Sequence, residues 1–337
     1  MERHYVGIDL HRRRSVIFTM DADGNKLGCT RIANEPAALI KAVLEHGASP
    51  AVVVEATYGW YWAVDLLREE GLEVHLAHPA GNDWGKRRVK NDERDARDLA
   101  DLLRLGRLAE AWIAPKEIRE LRELVRYRFK LVNLRTGLKA QIHAVMAKEG
   151  VLPQLGEMFG PGGNAQLDAM DHVADSYGIR IESLRDLIEI YDREVAMLER
   201  EIHRRLKGDP GYKAIQVIPG VGPVLGAIFV TEIGDVSRFK SPEALSSWAG
   251  LAPRHHESDT KVIRGQVTKM GSKMVRWAAI EAVSGRRGGT KLRADFHAIA
   301  ERRGKYKARA AVARKLLTLV YYGLRDNEIR CLAEEAS

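Results

Sequence analysis

Tyr5-Val6-Gly7-Ile8-Asp9 is a short apolar run that ends in a carboxylate, and it predicts a buried β-strand near the start of the chain. Arg14 to Met20 predicts a second strand. The turn residues Asp21-Ala22-Asp23-Gly24 lead from it into a third strand, Lys26 to Ile32. The opening of the chain therefore predicts three strands that include a hairpin.

Helix and strand signals alternate after this hairpin. Glu35 to Glu45 predicts a helix, and Ala51-Val52-Val53-Val54-Glu55 predicts a buried strand. Tyr61 to Glu70 predicts the next helix and Glu73 to Ala77 the next strand. A further helix is expected from Asp92 to about Leu105. This order predicts a mixed α/β layer fold.

Two long helices are predicted in the middle of the chain. Lys116 to Lys148 holds no glycine or proline except Gly137 and predicts one long basic helix. Gly150 to Asn164 is rich in glycine and proline and predicts a loop. The second helix has a heptad seam: Leu184, Ile188, Tyr191, Val195, Leu198 and Ile202. We expect an antiparallel coiled-coil arm, with a helical hairpin packed on its own domain as the alternative.

Residues from Gly208 onward predict shorter helices. Ile218-Pro219-Gly220-Val221-Gly222 precedes an apolar helix and resembles a helix-hairpin-helix turn, in which free backbone N–H groups contact a phosphate. A plain tight turn is the alternative. The run lacks the third glycine of a dinucleotide-binding fingerprint, and the chain has no P-loop motif.

Length and composition bound the class of protein. A chain of 337 residues fits about two domains by length alone, and its 45% hydrophobic and 30% charged residues fit a globular protein with a core. The most apolar stretch, Ala214 to Val230, is short and interrupted, and Met1 to His4 has no apolar signal core, so we expect a cytosolic protein. Cys29 and Cys331 suit neither a disulfide framework nor a cysteine zinc site. The predicted domains are residues 1–115 (catalytic, α/β), 116–207 (arm) and 208–330 (mainly α).

Positive charge is concentrated towards the carboxyl terminus. The net charge is +8, and residues 254–315 alone hold 17 Lys/Arg against 5 Asp/Glu. A short basic run, Lys86-Arg87-Arg88-Val89-Lys90, lies in the first third of the chain. Such a distribution favours a nucleic-acid partner, because each neutralised phosphate releases counterions. For the short run, a solvated surface is an equally good interpretation.

Four carboxylates stand at positions that suit a metal site. Asp9 and Glu55 end two predicted strands, and Asp92 and Asp95 lie three apart on one face at a helix start. Oxygen ligands select hard ions such as Mg²⁺ or Mn²⁺, and two such ions form the clamp used in phosphodiester displacement. The alternative is local: Asp92 as a helix N-cap and Asp9 as a turn former.

Helical spacing separates these acids from their neighbours. Asp95 is expected to head a core-facing stripe with Leu99, Leu102 and Gly106. Asp101 falls on the opposite face among arginines, so we expect it to form a surface salt bridge.

These residues resemble a known family. Tyr5 to Asp9, Val54-Glu55-Ala56-Thr57 and Lys90 to Ala96 are similar to the DEDD tetrad segments of the insertion sequence 110 family of transposases, relatives of the Piv-type DNA invertases. The second half carries further signature runs of that family: Ile218 to Gly222, Ala249 to Arg254, Gly271 to Arg276, and Arg314-Lys315-Leu316. The resemblance implies a RuvC-like, RNase H-fold amino-terminal domain that holds Mg²⁺ at Asp9, Glu55, Asp92 and Asp95.

The resemblance also implies a nucleophilic serine. At the family's position stands Ser258, which would attack a DNA phosphodiester and form a covalent phosphoserine link. The family's glycine after the serine is Asp259 here, which puts the local loop conformation in question, and Thr260 is the fallback nucleophile. A serine hydroxyl needs activation, either by a metal ion or by His256 as proton acceptor.

The implied partners are donor and target DNA and a structured bridge RNA, with the protein acting as a homodimer or tetramer. Ten cations are the candidate nucleic-acid contacts: Lys86, Arg87, Arg88, Lys90, Arg126, Arg254, Lys261, Arg264, Lys273 and Arg276. Two alternatives stay open. One is a RuvC-like Holliday-junction nuclease in which the acids activate water and Ser258 is structural; the other is a non-catalytic nucleic-acid-binding relative.

Overall fold

The computed structural model describes residues 3–79, 81, 91–150, 158–160, 174–258, 261–284 and 290–333. For residues 255–258, 261–264, 332 and 333 only the backbone is described. The chain divides into two compact units, Met1–Ala114 and Pro115–Ser337. The predicted division of the second part into an arm and a separate domain stays a prediction.

The first unit is built on a mixed five-stranded sheet. Its strands in chain order are β1 Tyr5–Leu10, β2 Arg14–Met20, β3 Lys26–Ala33, β4 Ala51–Glu55 and β5 Glu73–Ala77. Their order across the sheet is β3-β2-β1-β4-β5. The β1–β2 and β2–β3 pairs are antiparallel, whereas β1–β4 and β4–β5 are parallel. The predicted strands and the α/β class are confirmed.

Helices cover both faces of this sheet. They are α1 Pro36–Leu44, α2 Trp60–Glu69 and α3 Asp92–Arg104. Val52 and Val54 pack with α1 and α2, whereas Val53, between them, packs with Leu99 of α3. The alternation follows from the two-residue period of a strand, and it explains why β4 is apolar on both sides.

The backbone of α3 lies against β1 at Gly7. A β-carbon at this position would overlap the carbonyl oxygen of Ala96 and lie 2.8 Å from the backbone nitrogen of Ala100. The buried face of α3 consists of Ala96, Leu99 and Ala100. The predicted core-facing stripe was correct at Leu99 but wrong further along the helix, since Leu102 is half-buried and Gly106 is exposed. Small alanines, rather than the larger apolar residues, allow the close approach.

Gly7→Ala is expected to destabilise the protein by about 1–3 kcal/mol or more, because fixed backbone atoms of α3 cannot yield to the added methyl group. Gly28→Ala on β3 is the matched control, since its β-carbon would meet only the end of the His46 side chain. Urea unfolding measures both. Equal free energies of unfolding for the two variants would contradict the close approach.

The second unit is mainly helical. Its helices are α4 Lys116–Lys148, α5 Asp175–Leu206, α6 Pro210–Ile215, α7 Pro223–Ile233, α8 Pro242–Trp248, α9 Lys273–Ser284, α10 Lys291–Arg303, α11 Lys305–Asp326 and α12 Arg330–Ala333, with a 3₁₀ turn at Val236–Arg238. An antiparallel hairpin, β6 Pro253–Ser258 and β7 Lys261–Val267, interrupts them. The mainly helical prediction after Gly208 is confirmed, but this hairpin was not among the predicted elements. Its first strand, Pro-Arg-His-His-Glu-Ser, has no aliphatic or large apolar residue and so gives no alternating signal.

The two long helices pack antiparallel. Near one end, Ile142 and Val145 of α4 cluster with Leu184 and Ile188 of α5. At the other end, Leu121, Val125 and Leu131 join Val195, Leu198 and Ile202 in the main core of the unit. Five of the six predicted seam residues are buried, and Tyr191 is partly buried. Most of the predicted loop between the helices, at 151–157 and 161–164, lies outside the described residues.

Within the described ranges, no helix combines the length and the apolar character that crossing a membrane requires.

Candidate active site

Two strand ends bring Asp9 and Glu55 together. In the parallel β1–β4 pair, Ile8 lies opposite Val54, so the next residues along the chain, Asp9 and Glu55, stand side by side at the carboxyl ends of the strands. Asp9 is inside β1 and pairs with Val16 of β2, so it is not a turn former. The carboxyl ends of adjacent parallel strands are where α/β folds place ligands.

The start of α3 supplies the other two acids. The side chain of Asn91 accepts a hydrogen bond of 3.1 Å from the backbone N–H of Glu93, so Asn91 is the N-cap. The alternative role for Asp92, as N-cap, was wrong. Asp92 and Asp95 both lie in the first turn, where the helix dipole favours negative charge. Asp101 pairs with Arg104 at 2.7 Å, which confirms its expected salt bridge.

His11 lies between two of these carboxylates. Its Nδ1 is 3.3 Å from Oδ1 of Asp9, and its Nε2 is 3.7 Å from Oδ1 of Asp92. One ligand atom from each of Asp9, His11 and Asp92 can be chosen so that all lie within 4.8 Å of one another. His11 was not among the predicted site residues. The available signal was its position two residues after Asp9, just past the end of β1.

The pKa of Asp9 reflects the charges of the whole group. Asp9 is 8% exposed, and burial raises its pKa to about 6, although His11 acts in the opposite direction. The negative charges of Asp92, Asp95 and Glu55 raise the pKa further, in that order. The other three predicted acids therefore act on the buried carboxyl group of Asp9.

This arrangement fits a divalent cation. A buried carboxylate with three acidic neighbours is strained by like charge, and a cation would relieve that repulsion. The donors that lie closest together are two carboxylate oxygens and one imidazole nitrogen. Oxygen donors suit Mg²⁺ and Mn²⁺, and the nitrogen adds affinity for Mn²⁺.

Asp9→Asn is expected to stabilise the metal-free protein at pH 8. The folded-state pKa of Asp9 is about 6, above the ordinary value of 3.8. The free energy of unfolding therefore falls as the pH rises from about 4 to 6, and the full cost of the ionised carboxylate remains above pH 6. Removing the charge should raise the free energy of unfolding by roughly 2–3 kcal/mol at pH 8. Thermal unfolding in EDTA from pH 4 to pH 8 measures this, with Asp101→Asn as control. A pH-independent difference would contradict the raised pKa.

Ser258 ends strand β6 and pairs with Lys261 across the hairpin. Asp259 and Thr260 lie outside the described residues, and of Ser258 and His256 only the backbone is described. The base of the hairpin is tied to the loop after α8: the N–H of Thr268 donates to Ala252 and that of Lys269 to Gly250, at 3.0 and 3.1 Å. The serine therefore sits at the tip of a hairpin with a fixed base.

The predicted nucleic-acid contacts fall into three groups. Arg254 and Lys273 are exposed. Two arginines have structural partners: Arg276 donates to the carbonyl of Ala249 at 2.9 Å, and Arg126 pairs with Glu232. The remaining cations have no described side chain: Lys86, Arg87, Arg88 and Lys90 lie outside the described residues, and Lys261 and Arg264 are described by backbone alone.

Arg126→Ala is expected to lower stability by about 1–3 kcal/mol. Its guanidinium makes two hydrogen bonds, 2.7 and 3.0 Å, to the carboxylate of Glu232, which is buried and would lose its partner. The double variant Arg126→Ala/Glu232→Gln should recover part of the loss, because the buried charge is then gone. Urea unfolding measures both. An Arg126→Ala variant as stable as the unmodified protein would contradict the structural role of this arginine, and Arg126 would then remain a candidate nucleic-acid contact.

The glycine turn joins α6 to α7. Gly220 has φ +92°, and a β-carbon there would overlap the carbonyl oxygen of Ala282 in α9. Gly222 is the N-cap of α7, with Pro223 at the first helical position. The turn therefore joins two helices, and both the helix-hairpin-helix interpretation and the phosphate contact stay predictions.

Comparison with known proteins identifies the class. A family model described as "Transposase", of the IS110 DEDD group, matches residues 6–149, and one described as "Transposase IS116/IS110/IS902 family" matches residues 212–298. The first covers the sheet and the acidic group, and the second covers the glycine turn and the hairpin. The fold and the matches together define an enzyme of the transposase and recombinase class.

Relatives agree with this class. The chain is 24% identical to the transposase for insertion sequence element IS1111A of Coxiella burnetii, over 97% of this chain and 91% of the relative. It is 33% identical to the pilin gene-inverting protein of Moraxella lacunata, over 42% and 47%. It is 25% identical to a Pseudomonas aeruginosa protein named "Probable family 20 transposase", and the match spans 64% of each chain. The chain belongs to the IS110 family of transposases.

Proposed function

We propose that this protein cuts and rejoins DNA strands of a mobile insertion sequence through a covalent phosphoserine intermediate at Ser258, with a divalent metal ion at the acidic group. The observation that carries the proposal is the convergence of Asp92, Asp95 and Glu55 on the buried carboxyl group of Asp9. A protein that only binds nucleic acid gains nothing from four acids beside a phosphate backbone.

The strand order supports a RuvC-like, RNase H-type fold for the first unit. Three antiparallel strands followed by two parallel ones, in the order β3-β2-β1-β4-β5, place the first and fourth strands side by side. That adjacency supports a shared metal site formed by Asp9 of β1 and Glu55 of β4.

The proposed metal is Mg²⁺, with Mn²⁺ as the other candidate. Asp9, Glu55, Asp92 and Asp95 would hold it, and the imidazole of His11 lies within reach of the same ion. When bound, the ion polarises a phosphodiester oxygen and neutralises developing negative charge. The protein's own contribution is to hold the carboxylates on two strand ends and one helix start, so their positions are set before substrate arrives.

The serine step conserves the phosphodiester bond. The hydroxyl oxygen of Ser258 would form a bond to phosphorus as the bond to one DNA oxygen breaks, and the serine proton passes to a base, for which His256 is the candidate. Attack by a DNA hydroxyl on the phosphoserine reverses these changes and releases the serine. No ATP is consumed, in keeping with the absence of a P-loop motif in the sequence.

We further propose that a structured bridge RNA pairs with donor and target DNA and that the protein acts as a homodimer or tetramer in the prokaryotic cytosol. The charge distribution supports a polyanion partner, since residues 254–315 hold 17 Lys/Arg against 5 Asp/Glu. Arg254 near the start of β6 and Lys273 at the start of α9 are exposed, which supports nucleic-acid contact towards the base of the hairpin that carries Ser258.

Ser258→Ala is expected to abolish a covalent protein–DNA adduct. Purified protein is incubated with Mg²⁺, RNA transcribed from its flanking DNA, and labelled donor and target DNA, and the adduct is resolved on a denaturing gel. Asp95→Asn should also abolish it, because phosphodiester displacement needs the acidic site. Ser284→Ala and Asp101→Asn are the matched controls and should retain it.

The second candidate, a metal-dependent nuclease, gives a different result. DNA cleaved without an adduct and unaffected by Ser258→Ala would reject the serine intermediate and leave the acidic site as a hydrolytic centre. An adduct that survives Ser258→Ala would move the nucleophile to Thr260.

A further inference from the structure

A large cleft lies within the second unit. Its volume is about 790 Å³, in the range of sites that hold small ligands. One wall is the Pro219–Gly220 turn with the end of α9, and the other is the pair of helices α10 and α11. None of the described residues of the Ser258 hairpin lines it.

The helix α10 is open towards this cleft. None of its 13 residues is buried, although it packs against α11 and is held there by the Asp295–Lys315 pair at 2.7 Å. Leu292 and the half-buried ring of Phe296 line the cleft, above a floor that includes Val312 and Leu316. An apolar wall with an accessible aromatic ring suits a flat, partly apolar ligand.

The charged lining of the cleft is basic. Arg293, Lys305 and Arg309 line it together with the imidazole of His297, and none of the described lining residues is acidic. The Nε atom of Arg309 is buried and has no hydrogen-bond partner among the described residues. Basic side chains without an acidic neighbour among the described lining residues favour an anionic occupant of the cleft.

We propose that this cleft binds one unpaired nucleotide of a single-stranded nucleic acid, with the base against Phe296 and the phosphate against the cations around Arg309. Stacking on an aromatic ring beside a cationic groove is how proteins hold single strands without reading sequence. The inference goes beyond the proposed strand transfer and does not require Ser258 to act as nucleophile.

Binding of a fluorescein-labelled 12-nucleotide single strand to the full-length protein tests this proposal. Fluorescence anisotropy gives the Kd over a range of salt concentrations, with DNA and RNA of one sequence as separate arms. Phe296→Ala should weaken binding about five- to tenfold in at least one arm, because a stacking contact is lost. Arg309→Gln should reduce the slope of log Kd against log salt by roughly 0.7, as expected for one lost phosphate contact on a single strand.

Matched controls lie on α11 outside the cleft. Tyr306→Ala removes an aromatic ring that is 86% exposed, and Lys307→Gln removes an exposed cation. Phe296→Leu keeps most of the apolar volume but removes the aromatic ring. Its Kd for the labelled strand therefore tests the stacking contact even if Phe296→Ala fails to fold. Cleft variants that bind like their controls in both arms would overturn the proposal. Because no adduct is measured, this outcome is independent of the serine chemistry.

Discussion

The contact between Gly7 of β1 and the backbone of α3 is the constraint on which the acidic group depends. Only the absence of a side chain at residue 7 lets Ala96 and Ala100 approach the strand so closely. The same helix begins one turn earlier, at Asp92, so its distance from the sheet fixes how far Asp92 and Asp95 stand from Asp9. Gly7 therefore allows the close packing of α3 on β1, and through that packing it also sets how near Asp92 and Asp95 lie to Asp9.

The acidic group illustrates how a functional site opposes stability. Burial and three acidic neighbours raise the pKa of Asp9, which means that the ionised form costs folding free energy at neutral pH. His11 offsets part of this cost because its ring lies between Asp9 and Asp92. Asparagine at this strand end would avoid that cost. A bound cation would remove it as well, which is why the buried carboxylate fits a metal site.

Sequence reasoning succeeded where local patterns decide the structure. Strand β4 and helix α4 begin and end at their predicted residues, because an apolar run and an uninterrupted helical segment need no information from elsewhere in the chain. Predictions from the sequence were wrong or missing where contacts between distant parts of the chain determine the structure. The polar strand that carries Ser258 is ordered by its partner β7, and the face that α3 buries is set by the missing side chain at Gly7. The role of His11 depends on a distance to Asp92, 81 positions away, which no spacing in the sequence reveals.

Net charge alone overstates the surface available to nucleic acid. Arg126 neutralises buried Glu232, Arg276 holds the carbonyl of Ala249, and Lys315 pairs with Asp295. These cations stabilise the second unit, and a phosphate would have to displace an internal partner to reach them. The cations that stay available are those such as Arg254, Lys273 and Arg309, beside the hairpin or inside the cleft. Each phosphate contact adds to the salt dependence of nucleic-acid binding. We therefore expect the slope of log Kd against log salt to reflect the number of available cations, which is smaller than the formal excess of positive charge suggests.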